Sequence, residues 1–321
     1  MSRISPGGVH RMTDVSIPTT IAALDGHPLA ADLHTPPPDV QNSGVHVVIN
    51  SAMGVSRRYY RAFAQHLAAR GMTVVSYDYR GIGGSAPPRL RGCAARARDW
   101  GQLDASGVLS WMHQRQQRGP DPRAGAIAVV GHSIGGQLLG LMQNPEQVDR
   151  ILLVAAQAGS WRDWRGWRRL GIAALFQLGI PAFAALTGQL PMRWFGLGEN
   201  IPPRAACEWG AWGRSRDYLF DPRHGLDLSG YARLAVPLRM YSFTDDGYAP
   251  AATVDRLLRQ FPAAAIEHRR CSPADLGKPA IGHFGFFRRG LVPALWDEAA
   301  DFLADAQLSR RSNGSKRGAS R

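Results

Sequence analysis

The chain has 321 residues, 45% hydrophobic and 20% charged, the make-up of a soluble globular protein with room for one large catalytic domain or two smaller ones. Its net charge of +13 invites a nucleic-acid reading. Yet all but two of the 38 basic residues, Lys278 and Lys316, are arginines in a background rich in Ala, Gly and Pro. That bias reads as a codon preference, and no nucleic-acid reader motif is present. In chain order, residues 1–13 read as a disordered arm. Residues 15–24 and 28–34 flank Asp25-Gly26, a hairpin-turn dipeptide. Strands are then predicted at 45–50, 73–77, 126–130 and 151–155. Helices fall between them at 59–69, over most of 96–118, and at 135–143. The alternation stops from 159 to 229 and resumes with strands at 237–243 and 264–270 and helices at 251–260 and 291–305. Strands alternating with helices predict a mostly parallel sheet flanked by helices. The domain plan is therefore one α/β core, residues 14–158 and 230–308, with a helical lid, residues 159–229, inserted between late strands. Residues 309–321 carry five basic residues and no acid, and read as a disordered basic tail.

Gly131-His132-Ser133-Ile134-Gly135 fits the G-x-S-x-G nucleophile elbow. The three fixed positions alone are a weak signal. The apolar strand running in and the small-residue helix running out give it weight. Glycines at 131 and 135 leave space where strand and helix cross, while the sharp turn presents Ser133. A serine hydroxyl becomes nucleophilic when a histidine takes its proton and a carboxylate orients that histidine. In the chain order of such elbows, serine precedes acid and acid precedes histidine. The predicted strand 237–243 runs into Thr244-Asp245-Asp246-Gly247, which offers two acids. Asp246 is preferred because it stands four residues before Pro250, leaving Asp245 to cap the loop or the helix beyond it. His283, in the Gly-flanked loop after the last strand, is the predicted base. His132 is expected to support the elbow and His268 to pack within a strand. The oxyanion donors are expected to be the backbone N–H groups of Ile134 and, on the loop after residues 45–50, Met53.

On these residues the chain resembles the α/β-hydrolase superfamily, in its serine-aminopeptidase (S33), monoglyceride-lipase-like branch. The resemblance spans roughly residues 15–304. It is carried by GHSIGG at 131–136, by DYRGIGGS at 78–85, by Asp246 and by His283. The segments FTDD at 243–246, HFGFFR at 283–288 and residues 209–218 resemble more narrowly a group of bacterial predicted α/β-hydrolases. Ser51-Ala52-Met53-Gly54 stands where many relatives carry His-Gly-x-x, a departure that backbone donors tolerate. The resemblance implies fold and mechanism strongly and substrate hardly at all.

These readings converge on a serine hydrolase forming an acyl-enzyme on a small to medium ester or thioester. The alternatives are an acyltransferase or amidase on the same three residues, and a non-catalytic binding module on the same fold. No cofactor or metal is called for, and Cys93, Cys207 and Cys271 lack metal-ligand spacing. An odd cysteine count and an N-terminus without an apolar signal core predict a cytoplasmic protein. Trp161, Trp164 and Trp167 recur every three residues among arginines, an aromatic helix face on this reading. The apolar run 170–186 is interrupted by Gln177, Gly179 and Pro181, which argues against a membrane span. Phe176, Phe183 and Trp161 are expected to line an acyl pocket. Contact with a membrane surface is the weaker reading of the same segment.

Overall fold

The computed structural model describes residues 16–119 and 125–305; the expected arm 1–13 and tail 309–321 lie outside them. Eight strands form one sheet: β1 (Ser16–Ala22), β2 (Pro28–His34), β3 (Val45–Asn50), β4 (Thr73–Tyr77), β5 (Ala126–His132), β6 (Arg150–Val154), β7 (Pro237–Phe243) and β8 (Ala265–Cys271). Their order is β1-β2-β4-β3-β5-β6-β7-β8. The hairpin β1–β2 and the pair β2–β4 are antiparallel; every other neighbour is parallel. This is the α/β-hydrolase fold expected above.

The strands β3 to β6 are rich in β-branched and aliphatic residues because both their faces are covered. Side chains alternate between two cores, as a two-residue period requires. Val48, Val75, Val129 and Leu153 enter one core. Val47, Val74, Val130 and Leu152 enter the other. Helices α1 (Arg61–Ala69) and α10 (Pro293–Ala304) cover the second face. On the first lie α2 (Ala97–Asp99), a π-helical turn at Trp100–Ala105, α3 (Ser106–Gln117) and α9 (Ala251–Leu258). In α1 the apolar Phe63, Ala64 and Leu67 share one buried stripe. The loop after β4 is pinned by Arg80, whose Nε donates to Asp104 (2.7 Å) and whose Nη atoms donate to Asp25 (2.8 Å each).

Helix α4 (Ile134–Gln137) follows β5 directly and is shorter than predicted. It passes into a 3-10 turn at Leu139–Leu141 because Gly140 lies against Tyr231 of α8 (Ser229–Arg233). A Cβ on Gly140 would stand 2.0 Å from that ring. Between β6 and β7 runs an insertion with α5 (Gly166–Ala174), a π-helical turn at Leu175–Gly179, α6 (Ile180–Thr187) and α7 (Pro203–Arg214). It ties to the core through Arg256 of α9, paired with Asp163 at 2.6 and 2.8 Å.

The tryptophan repeat is corrected here. The Ser160 side chain and Asp163 form a capping box around a single 3-10 turn, and Trp164 and Arg165 are extended before α5 begins. Trp161, Trp164 and Trp167 therefore do not share a helix face. The guanidinium groups of Arg162 and Arg169 both lie over the Trp161 ring. Trp164 is buried and Trp167 stands in solvent.

Candidate active site

Ser133 sits between the end of β5 and the start of α4 with φ 51° and ψ −120°, a conformation that L side chains avoid and that marks an over-determined turn. The crowding that fixes it is glycine-dependent. A Cβ on Gly131 would lie 2.5 Å from Gly136 Cα, and one on Gly135 would lie 2.3 Å from the Asn50 carbonyl oxygen of β3. The elbow thus needs glycine at 131 to let the helix cross its own strand. It needs glycine at 135 to let it cross the neighbouring strand.

The loops after β7 and β8 bring Asp246 and His283 to this turn. His283 Nε2 stands 2.9 Å from Ser133 Oγ, and His283 Nδ1 stands 2.7 Å from Asp246 Oδ2. The carboxylate is enclosed, and its second oxygen accepts the backbone N–H of Tyr248 (2.8 Å) and Ala249 (3.2 Å). Asp245 turns the other way. Its Oδ2 accepts the N–H of Ile281 (2.8 Å) and of Gly282 (3.0 Å), the two residues before His283. One aspartate faces the imidazole ring and its neighbour clamps the loop that carries it.

His132, expected to support the elbow, also ties it to the loop of His283. It is buried, and burial followed by the nearby His283 pulls its pKa down to about 3, so it is neutral at ordinary pH. Nε2 lies 3.0 Å from the His283 carbonyl oxygen. A carbonyl only accepts, so Nε2 carries the proton and Nδ1 is the acceptor. Tyr60 hydroxyl, 2.9 Å away, fills it. Burial raises the Tyr60 pKa well above its ordinary value, and the hydroxyl keeps its proton. Its oxygen in turn accepts the N–H of Ala52 at 2.7 Å. The chain Ala52 to Tyr60 to His132 to the His283 carbonyl is directional, and it links the loop after β3 to the loop of the histidine. Tyr60, at the start of α1, gave no sequence signal, since its partners are 8 and 72 residues away.

Ser133, Ile134, Met53 and His283 line one cavity of about 160 Å³. Among the described residues neither the Met53 N–H nor the Ile134 N–H donates to a protein acceptor. Helix α4 also begins at Ile134, where N–H groups lack intrahelical partners. Beside Gln137 and Gln157 the rest of the lining is mostly apolar and comes largely from the insertion: Trp164, Ile172, Leu175, Phe176, Met192 and Trp209 among others. Of the pocket residues expected from the sequence, Phe176 is there, but Trp161 and Phe183 are not. Phe183 instead faces Trp194 and Phe195, while Trp164 lines the cavity, its Nε1 donating to the Gly247 carbonyl at 2.9 Å. Two larger hollows, about 590 and 500 Å³, lie beside residues 81–95 and do not reach Ser133. Among the described residues no three His, Cys, Asp or Glu side chains gather where they would hold a metal ion.

A serine on a strained strand-to-helix turn, within reach of a histidine and an acid from later loops of a mostly parallel sheet, defines the class of α/β hydrolases. Comparison with known proteins gives the same fold. A family model described as serine aminopeptidase, S33, matches residues 41–195. The structure is similar to an α/β serine hydrolase without lid from Xanthomonas campestris (15% identity, 92% of this chain and 94% of that one, TM-score 0.51). It is also similar to an esterase from Exiguobacterium antarcticum (14%, 89% and 99%, 0.56) and one from Pyrococcus furiosus (14%, 94% and 95%, 0.56). No curated protein sequence matches the chain. These likenesses show the α/β-hydrolase fold, and the similarity to the serine aminopeptidase, S33, family extends over residues 41–195.

Proposed function

We propose that the protein is a serine hydrolase that cleaves a carboxylic ester of a small acyl group through an acyl-enzyme. The reading rests on one observation above others: the unbroken array Ser133 Oγ, His283 and Asp246, at 2.9 and 2.7 Å, open to an apolar cavity. In this mechanism His283 Nε2 takes the Ser133 proton as Oγ attacks the acyl carbonyl carbon. Asp246 holds the ring by its Nδ1–H and stabilises the imidazolium. The oxyanion forms against the N–H groups of Met53 and Ile134, donors of a kind whose loss costs about 10²–10³ in rate. As the tetrahedral adduct collapses, His283 returns the proton to the leaving alkoxide. It then activates a water that frees the acid and restores Ser133.

The cavity is small for a ligand site, where about 300–1,000 Å³ is usual, which favours short acyl chains with the leaving group outside. The esterase neighbours agree with this reading in fold. A pre-steady-state assay with p-nitrophenyl acetate tests it. The wild type is expected to release one equivalent of p-nitrophenol in a burst before slower turnover, and Ser133→Ala none. Steady hydrolysis by Ser133→Ala at the wild-type rate would overturn the assignment.

A further inference from the structure

Helices α5 and α6 and the π-helical turn between them run on as one helix of 22 residues, Gly166–Thr187, long and apolar enough to cross a membrane. Only 11% of its most apolar stretch is buried. Phe176 and Ile180 point inward. The outer stripe is apolar: Trp167, Leu170, Leu178 and Leu186 are 78, 71, 70 and 77% exposed. Trp194 and Phe195 extend it, joined to the helix through Phe183. An apolar face this size needs an occupant.

We propose that this face docks flat on an anionic lipid surface, and that the mouth of the Ser133 cavity opens onto that surface. The helix does not span a bilayer, because both its ends and its inner side are held by the folded domain. Asp163 and Trp164 anchor the entrance, Gly188 abuts Arg91 at the exit, and Arg214 donates to the Phe176 carbonyl between them (2.7 Å). What remains outward is an apolar stripe with basic residues at one end, the pattern of an interfacial helix. Arg165, Arg168 and Arg169 are exposed there, with no ion pair among the described residues. From Gly166 to Gly198 the sequence has no acid. A second copy of the chain fits less well. An isologous contact sets the same patch against itself, and this patch has no carboxylate with which a second copy could meet the arginines. Lipid phosphates supply the missing charge, and Trp167 and Trp194 suit the headgroup boundary.

The mouth follows from two shared residues. Leu175 and Leu197 line the cavity and are also 38 and 40% exposed. An acyl ester dissolved in the lipid layer would reach Ser133 between them, its acyl end inside and its leaving group outside. This second half rests on the serine-hydrolase reading; docking itself does not.

Sedimentation of the full chain with vesicles tests the docking. Binding to vesicles of one-third phosphatidylglycerol in phosphatidylcholine is expected to exceed binding to pure phosphatidylcholine by about tenfold or more, and to weaken with added salt. The double variant Leu170→Glu/Leu178→Glu is expected to lose that binding by at least about tenfold, while soluble short esters are still cleaved, since neither side chain lines the cavity. Quenching of wild-type tryptophan fluorescence by brominated lipid gives the same answer without a variant. Ser133→Ala is expected to bind vesicles like the wild type. If it does and no ester is cleaved by either protein, the hydrolase reading fails and the docking stands. A wild type that ignores both vesicles, or one that forms a dimer dissociated by Leu178→Glu, overturns the docking.

Discussion

Asp245 and Asp246 are adjacent and chemically identical, so only their neighbours separate them. Asp246 is enclosed and offers one oxygen to His283 and the other to two backbone N–H groups. Asp245 is exposed and spends its charge on the backbone of Ile281 and Gly282. Asp246→Asn is therefore expected to lower kcat by roughly 10⁴, because an amide favours the wrong histidine tautomer. Asp245→Asn removes no contact to the ring and is expected to cost about tenfold or less, chiefly through a looser histidine loop. Steady-state kinetics of the two variants decide it, and the reverse ranking would make Asp245 the acid. The preference for Asp246 was legible in its spacing from Pro250. The clamp by Asp245 was not, because the N–H groups that donate to it lie 36 and 37 residues ahead in the chain.

At the scale of the element, the sequence was readable where structure is local. The strands β3, β4 and β7 match their predicted bounds because each is a mostly buried run closed by turn residues. The elbow was readable for the same reason, strand, turn and helix being contiguous. Misreadings came from contacts that no local pattern encodes. Helix α4 stops early because Tyr231, more than ninety residues on, fills the space over Gly140. The run 170–186 was expected to line a pocket, yet it buries one edge only. Its Phe176 reaches the cavity, wedged edge-on to Trp209 with ring centroids 4.9 Å apart and flush against Gly213, whereas Phe183 faces outward aromatics. Phe176→Ala is thus expected to shift the preferred acyl chain upward by a few carbons, a change of about tenfold in the ratio of kcat/KM for hexanoate over acetate esters. Phe183→Ala is expected to leave that ratio alone. A p-nitrophenyl ester series measures both, and equal shifts in the two variants would contradict the cavity lining described above.

For the whole molecule, two neutral histidines, the buried His132 and the half-buried His46, couple stability to pH. His132 has its pKa pulled down from 6.5 to about 3 and His46 to about 4, in both cases mainly by burial. The unfolded chain takes up these protons near pH 6.5 and the folded chain does not. Their contribution is present above that value and declines as the pH falls through it toward 4 and 3. The thermal midpoint is expected to drop steadily between pH 7 and pH 4, and His46→Gln to flatten part of that slope. A midpoint unchanged over this range would count against the burial of both rings. All of the proposed chemistry, from the pinned histidine loop to the apolar cavity, converges on one oxygen atom. The most direct measurement is therefore the intact mass of the protein after treatment with a fluorophosphonate, followed by peptide mapping. One adduct per chain is expected, located on Ser133 and absent from Ser133→Ala. An unmodified wild type, or an adduct that persists in Ser133→Ala, would contradict it.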